Sequence, residues 1–134
     1  MPADTQILIA SDRDVVAARQ QGRAVALRAG FSMSEATLIA TAISELARNI
    51  VSYANQGSVT LRPVHRSNGA IGLTIVASDS GPGIADVTLA LRDGYSSSGG
   101  LGLGLPGVRR LMDEFDIVSK AGSGTTVTVT KWLP

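Results

Sequence analysis

The order of its apolar patterns restricts the folds open to this chain. A strand-like run at residues 5–10 precedes two patterns with helical spacing, over residues 14–29 and from residue 32 to about 54. A third helical pattern covers residues 105–115, and the remaining strand-like runs are 58–66, 70–78, 115–120 and 125–133. Three amphipathic helices are most simply buried on one face of a sheet. We therefore expect an α/β two-layer sandwich with a mixed, mainly antiparallel sheet.

Residues at the ends of these patterns support the boundaries. Gly30 is a typical helix stop, and Ser32 with Glu35 forms the sequence pattern of a capping box. The turn residues 67–69 join two strand-like runs, which predicts a hairpin. Pro63 interrupts the alternation of the first run, so we expect a bulge or an edge position there.

Composition excludes several classes of protein. The 134 residues are enough for one compact domain, and we expect a single domain over 1–134. The net charge of +1 offers no general field for nucleic acid or an anionic membrane, so we expect neither as a partner. The chain has no cysteine, and its N-terminus lacks the pattern of a signal peptide. These features predict a cytoplasmic protein.

A carboxylate and an amide lie one turn apart on the second predicted helix. Glu45 and Asn49 differ by four positions and therefore share a helix face, with Arg48 on an adjacent side. Taken alone, the pair is most simply a solvated polar edge. In a site, the amide oxygen could ligate Mg²⁺ and the carboxylate could accept a proton from an attacking hydroxyl.

A glycine turn with an acidic residue follows the strand-like run at residues 70–78. Asp79 comes first, and Gly81 and Gly83 follow it. The segment is equally compatible with an ordinary turn and with an adenine pocket. In the pocket, the carboxylate would accept a hydrogen bond from the exocyclic amine, and the glycines would let the flat base approach the backbone.

A second glycine-rich segment, residues 99–107, spans the start of the third predicted helix. Before it we predict a short helix at 85–92 and a loop at 93–100. The segment has five glycines within nine residues, which leave bare backbone N–H groups at a helix N-terminus, where an anion binds favourably. Triphosphate is the natural ligand. Residues 102–107 formally match a dinucleotide fingerprint, but no βαβ unit surrounds them, and no Walker pattern is present.

Two further polar residues have simpler interpretations. His65, the only histidine, lies in a predicted strand and has no partner set for a metal or a triad. Thr125 follows Gly124 at the start of the last strand. Thr125 is either an ordinary residue at the start of a strand or a residue whose hydroxyl points to the edge of a bound base.

In this order, the motifs resemble those of the GHKL superfamily of ATP-binding domains, whose fold is the Bergerat type. Residues 45–49 resemble its N box, residues 79–83 its Asp-x-Gly-x-Gly box, residues 100–104 its lid glycine box, and residues 122–125 its terminal Gly-Thr element. The resemblance implies three helices on one face of the sheet, with ATP and Mg²⁺ as ligands.

The resemblance also implies a role for each matching residue. Glu45 would be the catalytic general base, and Asn49 would bind Mg²⁺ as the metal ligand. Asp79 would read adenine in a pocket shaped by glycines. The other nucleotide-binding positions would be Gly81, Gly83, Gly100, Gly102, Gly104 and Thr125.

Within the superfamily, the chain looks like a free-standing serine/threonine kinase of the anti-sigma type. Only sixteen residues separate Gly83 from Gly100, and we expect neither a transducer domain nor a dimerisation helix pair. The resemblance implies STAS-domain antagonist and scaffold proteins of a stressosome as substrates, and a phosphatase that the released kinase activates. The alternatives are an anti-sigma factor that sequesters a sigma factor, with nucleotide as a conformational ligand, and a stand-alone ATPase.

Overall fold

A computed structural model of the chain describes residues 4–82 and 104–134. The predicted helix at 85–92 and the loop at 93–100 lie outside these residues. The strands are β1 (Thr5–Ile9), β2 (Gly57–His65), β3 (Ile71–Asp79), β4 (Glu114–Lys120) and β5 (Gly124–Trp132), and the helices are α1 (Asp12–Ala29), α2 (Met33–Ala54) and α3 (Gly104–Leu111).

The five strands form one sheet in the order β1-β2-β3-β5-β4. Each neighbouring pair is antiparallel, so the described sheet is antiparallel throughout, whereas a mixed, mainly antiparallel sheet was expected. Inward-facing side chains of the strands form one core with the apolar stripes of the three helices, including Ile39, Ile43 and Val108. The predicted two-layer α/β sandwich is confirmed. No described helix is long and apolar enough to cross a membrane.

Local sequence signals determine where α1 ends and where α2 begins. Gly30 ends α1 with φ of 109°, a conformation that glycine adopts without steric cost. Ser32 caps α2 as predicted, because the Glu35 backbone N–H donates to Ser32 Oγ over 3.2 Å. The Glu35 carboxylate accepts from the Ser32 hydroxyl, whereas in a full capping box it would accept from the Ser32 backbone N–H. In mid-helix, Gly22 allows the side chain of Ile43 to pack directly on the α1 backbone.

Pro63 occupies an edge position without a bulge. The β2–β3 register is continuous and pairs Pro63 with Leu73, while β1 pairs with β2 only as far as Leu61. Within residues 4–82 and 104–134, Pro63 therefore has a neighbouring strand on one side only, a position that tolerates its missing N–H. Of the two sequence-based alternatives, the described residues agree with the edge position and not with the bulge.

The predicted extension of the third helix to Phe115 is wrong. α3 ends at Leu111, and β4 begins at Glu114. The Leu111 carbonyl accepts a hydrogen bond from Lys131 Nζ, and the Asp113 backbone N–H donates to the Thr130 carbonyl. These bonds to β5 satisfy groups that another helical turn would have used, and residues distant in sequence therefore terminate the helix.

Candidate functional site

Glu45 is a buried carboxylate with a donor at each oxygen. It lies on α2 with 4% of its surface exposed. Arg48 Nη1 lies 2.6 Å from its Oε1, and the backbone N–H of Gly104 donates to its Oε2 over 3.2 Å. Because Gly104 is the first residue of α3, this carboxylate joins the middle of α2 to the N-terminus of α3. A negative charge at that helix end is favourable.

Asn49 presents an unsatisfied acceptor one turn further along α2. Its Oδ1 is buried and has no hydrogen-bond partner; it is the one such side-chain atom found in residues 4–82 and 104–134. Buried polar atoms without partners are rare and require an explanation such as a ligand, a water or an ion. A neutral amide oxygen is a suitable ligand for a hard cation such as Mg²⁺.

Asp79 is held in a fixed orientation at the end of β3. It pairs with Gly57 on one side and with Thr125 on the other. Its Oδ1 accepts hydrogen bonds from the backbone N–H groups of Gly81, at 2.9 Å, and of Thr125, at 3.3 Å. Oδ2 has no partner within the described part of the chain, which leaves one carboxylate oxygen available for an external donor.

Glycines bring the Asp79 turn against the end of α2. A Cβ at Gly81 would lie 2.6 Å from the Cβ of Ala54, the last residue of α2, and one at Gly57 would lie 3.0 Å from both Asp79 Cβ and Ile50 Cγ2. Ile50 is the neighbour of Asn49 in sequence. The Asp79 turn therefore packs on the C-terminal half of α2, the half that also carries Asn49.

The β4–β5 hairpin completes this end of the sheet. Gly124 has φ of 100° and lies against the backbone of Asp79 and Ser80. The hydroxyl of Thr125 is 2.7 Å from that of Ser119 across the hairpin. The contact of Thr125 with Asp79 is therefore made by its backbone, while its side chain bonds within the hairpin.

The structure thus brings together five of the predicted site residues around α2, the end of β3 and the start of α3; these are Glu45, Asn49, Asp79, Gly81 and Gly104. Thr125 touches the group through Asp79. Gly83, Gly100 and Gly102 lie outside the described residues. Sequence reasoning missed the ion pair of Arg48 with Glu45, although their spacing of three positions on a helix was a usable signal.

The donor set of this site does not form a metal centre by itself. No group of three His, Cys, Asp or Glu side chains that could hold an ion occurs within residues 4–82 and 104–134. The partnerless Asn49 oxygen fits one coordination position. An ion with a single protein ligand of this kind is typical of Mg²⁺ that is mainly bound by substrate phosphates and water.

Comparison with known proteins identifies the family of the chain. Residues 8–131 match the family described as the histidine kinase-like ATPase domain. The chain belongs to this family. The prediction of a GHKL-type domain is thereby confirmed, and the chain is a nucleotide-binding domain.

Named relatives narrow the family further. The chain is 52% identical over 127 residues to the serine/threonine-protein kinase RsbT of Bacillus subtilis strain 168, and the alignment covers 95% of each chain. It is 31% identical over 108 residues to the anti-sigma F factor of Caldanaerobacter subterraneus subsp. tengcongensis, covering 76% of this chain and 73% of that one. The predicted likeness to a serine/threonine kinase of the anti-sigma type is confirmed, as is the enzyme class of protein serine/threonine kinase.

Two solved structures share the fold. The mycobacterial sensor histidine kinase MprB superposes with a TM-score of 0.54 at 17% identity, covering 98% of this chain and 97% of that chain. Full-length ShkA in complex with AMPPNP superposes with a TM-score of 0.55 at 18% identity, covering 90% of this chain and 29% of that chain. At such identities the likeness supports the Bergerat-type architecture of the histidine kinase-like family and nothing finer.

Proposed function

We propose that this kinase uses Mg²⁺ and ATP to phosphorylate serine or threonine residues on STAS-domain antagonist and scaffold proteins of a stressosome, similar to RsbS and RsbR. We further propose that the released kinase binds and activates an RsbU-like phosphatase in a sigma-factor stress pathway, as a single domain in the cytoplasm. The observation that carries the catalytic part is the buried, partnerless Asn49 oxygen one turn from the buried Glu45 carboxylate. The 52% identity to RsbT supports the choice of partners.

Asp79 is proposed to recognise adenine. Its Oδ1 is committed to two backbone N–H groups, so the carboxylate cannot rotate freely. Its Oδ2 is left to accept a hydrogen bond from the exocyclic amine of the base. Gly81, which packs closely on α2, and Gly83 are proposed to shape the turn so that the flat ring can approach the backbone.

The phosphates are proposed to lie near the N-terminus of α3, where the helix begins at Gly104. Backbone N–H groups at a helix start favour an anion, and Gly100 and Gly102 are proposed to add further N–H donors. Asn49 Oδ1 would be the protein ligand of Mg²⁺. The ion, when bound, would neutralise phosphate charge.

Glu45 is proposed to accept the proton in the transfer step. The acceptor hydroxyl oxygen forms a bond to the γ-phosphorus while the bond to the β,γ-bridging oxygen breaks, and ADP leaves with that electron pair. The hydroxyl proton passes to the Glu45 carboxylate. Each oxygen of Glu45 has one described donor, from Arg48 or from the Gly104 N–H, and keeps a second lone pair that can accept the hydroxyl proton.

The test is phosphoryl transfer from γ-labelled ATP to a purified RsbS-like STAS-domain protein. The wild-type kinase should label serine or threonine of the acceptor. Glu45→Gln, which keeps the shape of the side chain, should reduce transfer about 100-fold or more and leave ATP affinity unchanged. Full transfer by Glu45→Gln would refute the role of the base, and label found only in free phosphate would indicate a stand-alone ATPase instead.

A second candidate function rests on the similarity to anti-sigma F factors. In this alternative, the domain would sequester a sigma factor, and nucleotide would act as a conformational ligand. A stable complex with the sigma factor, formed without phosphoryl transfer to any STAS-domain protein, would favour it over the kinase proposal.

A further inference from the structure

A groove of about 540 Å³ lies between the two long helices, apart from the residues assigned to the nucleotide. α1 contributes most of its lining and α2 the remainder. The lining residues are Arg19, Gln20, Arg23, Ala24, Leu27, Thr37, Ala40 and Thr41. None of them is acidic, so the groove has a positive lining.

The two arginines of the groove are available to a partner. Arg19 and Arg23 are exposed and lie four positions apart on α1, where like charges repel each other. Within residues 4–82 and 104–134, neither forms a salt bridge or a hydrogen bond. The fold therefore maintains two adjacent positive charges that no described acidic group neutralises.

The remainder of the groove suits an apolar side chain. Leu27 continues the stripe of Arg19 and Arg23 on α1 and is 39% exposed. On α2, the hydroxyls of Thr37 and Thr41 donate to carbonyl groups of their own helix, at 2.8 and 2.9 Å. Because these hydroxyls are satisfied internally, the groove offers a partner apolar contacts beside the two guanidinium groups.

The groove leads to the proposed catalytic base. Thr41 precedes Glu45 by four positions and Asn49 by eight, so the three share one stripe of α2. Four residues correspond to about 6 Å along a helix axis. A protein segment held in the groove would therefore lie about one helical turn from Glu45.

We propose that the groove between α1 and α2 is the docking site of the protein substrate, and that its occupant is an acidic segment of that substrate carrying an apolar side chain. Carboxylates would pair with Arg19 and Arg23, and the apolar side chain would pack on Leu27. The inference rests on the proposed kinase function. It adds the place and the chemistry of substrate recognition.

The matched test uses two double charge reversals on the same helix. R19E/R23E changes the groove, whereas R13E/R28E makes the same change in net charge at exposed α1 positions outside the groove lining. R13E is favourable and R28E unfavourable for the helix dipole, so the control should retain helix stability. Steady-state transfer to an RsbS-like STAS-domain protein is measured for the wild type and both variants.

R19E/R23E should raise the KM for the STAS-domain protein about tenfold, with kcat and ATP affinity unchanged. R13E/R28E should stay within about twofold of the wild type in all three quantities. Equal KM values for the two variants, or a loss confined to kcat, would overturn the proposal. If circular dichroism finds R19E/R23E unfolded, the milder R19A/R23A decides by the same comparison.

Failure of the kinase proposal would be recognisable separately. A wild-type protein that binds the STAS-domain protein in a calorimetric titration but transfers no phosphoryl group would refute the proposed function. The same titration then tests the groove, since docking requires R19E/R23E to bind more weakly than R13E/R28E. Unchanged affinity in R19E/R23E would overturn the docking site whatever the reaction.

Discussion

At the scale of single residues, Asn49 lowers the stability of the free protein at a position that the proposed function requires. A buried acceptor without a partner destabilises a folded protein by about 1–3 kcal/mol. Asn49 Oδ1 is such an atom, in the middle of an otherwise well-packed helix. The cost is understandable if the oxygen is satisfied by a ligand in the working enzyme, as a magnesium ligand would be.

This reasoning predicts that Asn49→Ala has little effect on stability and a large effect on activity. The free energy of unfolding without nucleotide should fall by no more than about 0.5 kcal/mol, because the lost amide makes no hydrogen bond within the described residues. Phosphoryl transfer should fall at least about 100-fold. Urea unfolding and the labelled-ATP assay check the two parts, and a variant that keeps wild-type transfer would exclude Asn49 as the metal ligand.

Asp79 allows a similarly specific substitution. In Asp79→Asn, the amide oxygen can retain the bonds from the Gly81 and Thr125 N–H groups, so the turn should remain intact. The amide nitrogen then replaces the free carboxylate oxygen and faces the adenine amine as a second donor. ATP affinity should fall at least about tenfold, measured by calorimetry, with little change in stability. Unchanged ATP affinity would refute the adenine assignment.

At the scale of elements, the β4–β5 hairpin positions Asp79 through a close backbone approach. Gly122 and Gly124 both have positive φ, at 82° and 100°. A Cβ at Gly122 would meet nothing within 4 Å, whereas one at Gly124 would lie 2.8 Å from Ser80 Cα and closer still to the Asp79 carbonyl oxygen. A side chain at Gly122 would therefore meet only the strain of the left-handed backbone conformation, whereas one at Gly124 would also clash with neighbouring backbone atoms.

Alanine at each of the two positions should have different consequences. Gly122→Ala should lower the free energy of unfolding by about 1 kcal/mol, from the left-handed conformation alone. Gly124→Ala should lower it by at least about 2 kcal/mol, because Asp79 and Ser80 must also move, and should weaken ATP binding as well. Urea unfolding and calorimetry give both values; equal costs for the two variants would contradict the close approach.

Sequence patterns predicted elements well where the determinants are local. The Ser32 N-cap, the Gly30 stop and the β2–β3 hairpin depend on residues within a few positions of one another, and all are present. The C-terminal end of α3 was predicted wrongly because Lys131 and Thr130, some twenty residues away, provide the bonds that end it. Periodicity carries no information about such partners.

At the scale of the whole molecule, the two-layer fold followed from the order of the elements, but the convergence of the site did not. Spacing alone placed Glu45 and Asn49 on one face, whereas their meeting with Asp79 depends on sheet order and on the glycine contacts with the end of α2. Only the resemblance to a known superfamily supplied that expectation. The bond from Gly104 to Glu45, which joins α3 to α2, had no sequence signal at all.

The central claim is that α2, the end of β3 and the start of α3 form one site for Mg²⁺ and ATP. Amide chemical shifts, followed by NMR as Mg²⁺ and AMPPNP are added to the labelled protein, test it most directly. The account predicts that the largest shifts cluster at Glu45, Asn49, Asp79, Gly81 and Gly104, and that groove residues such as Arg19 and Arg23 change little. Shifts confined to other parts of the sheet, or none at saturating nucleotide, would contradict it.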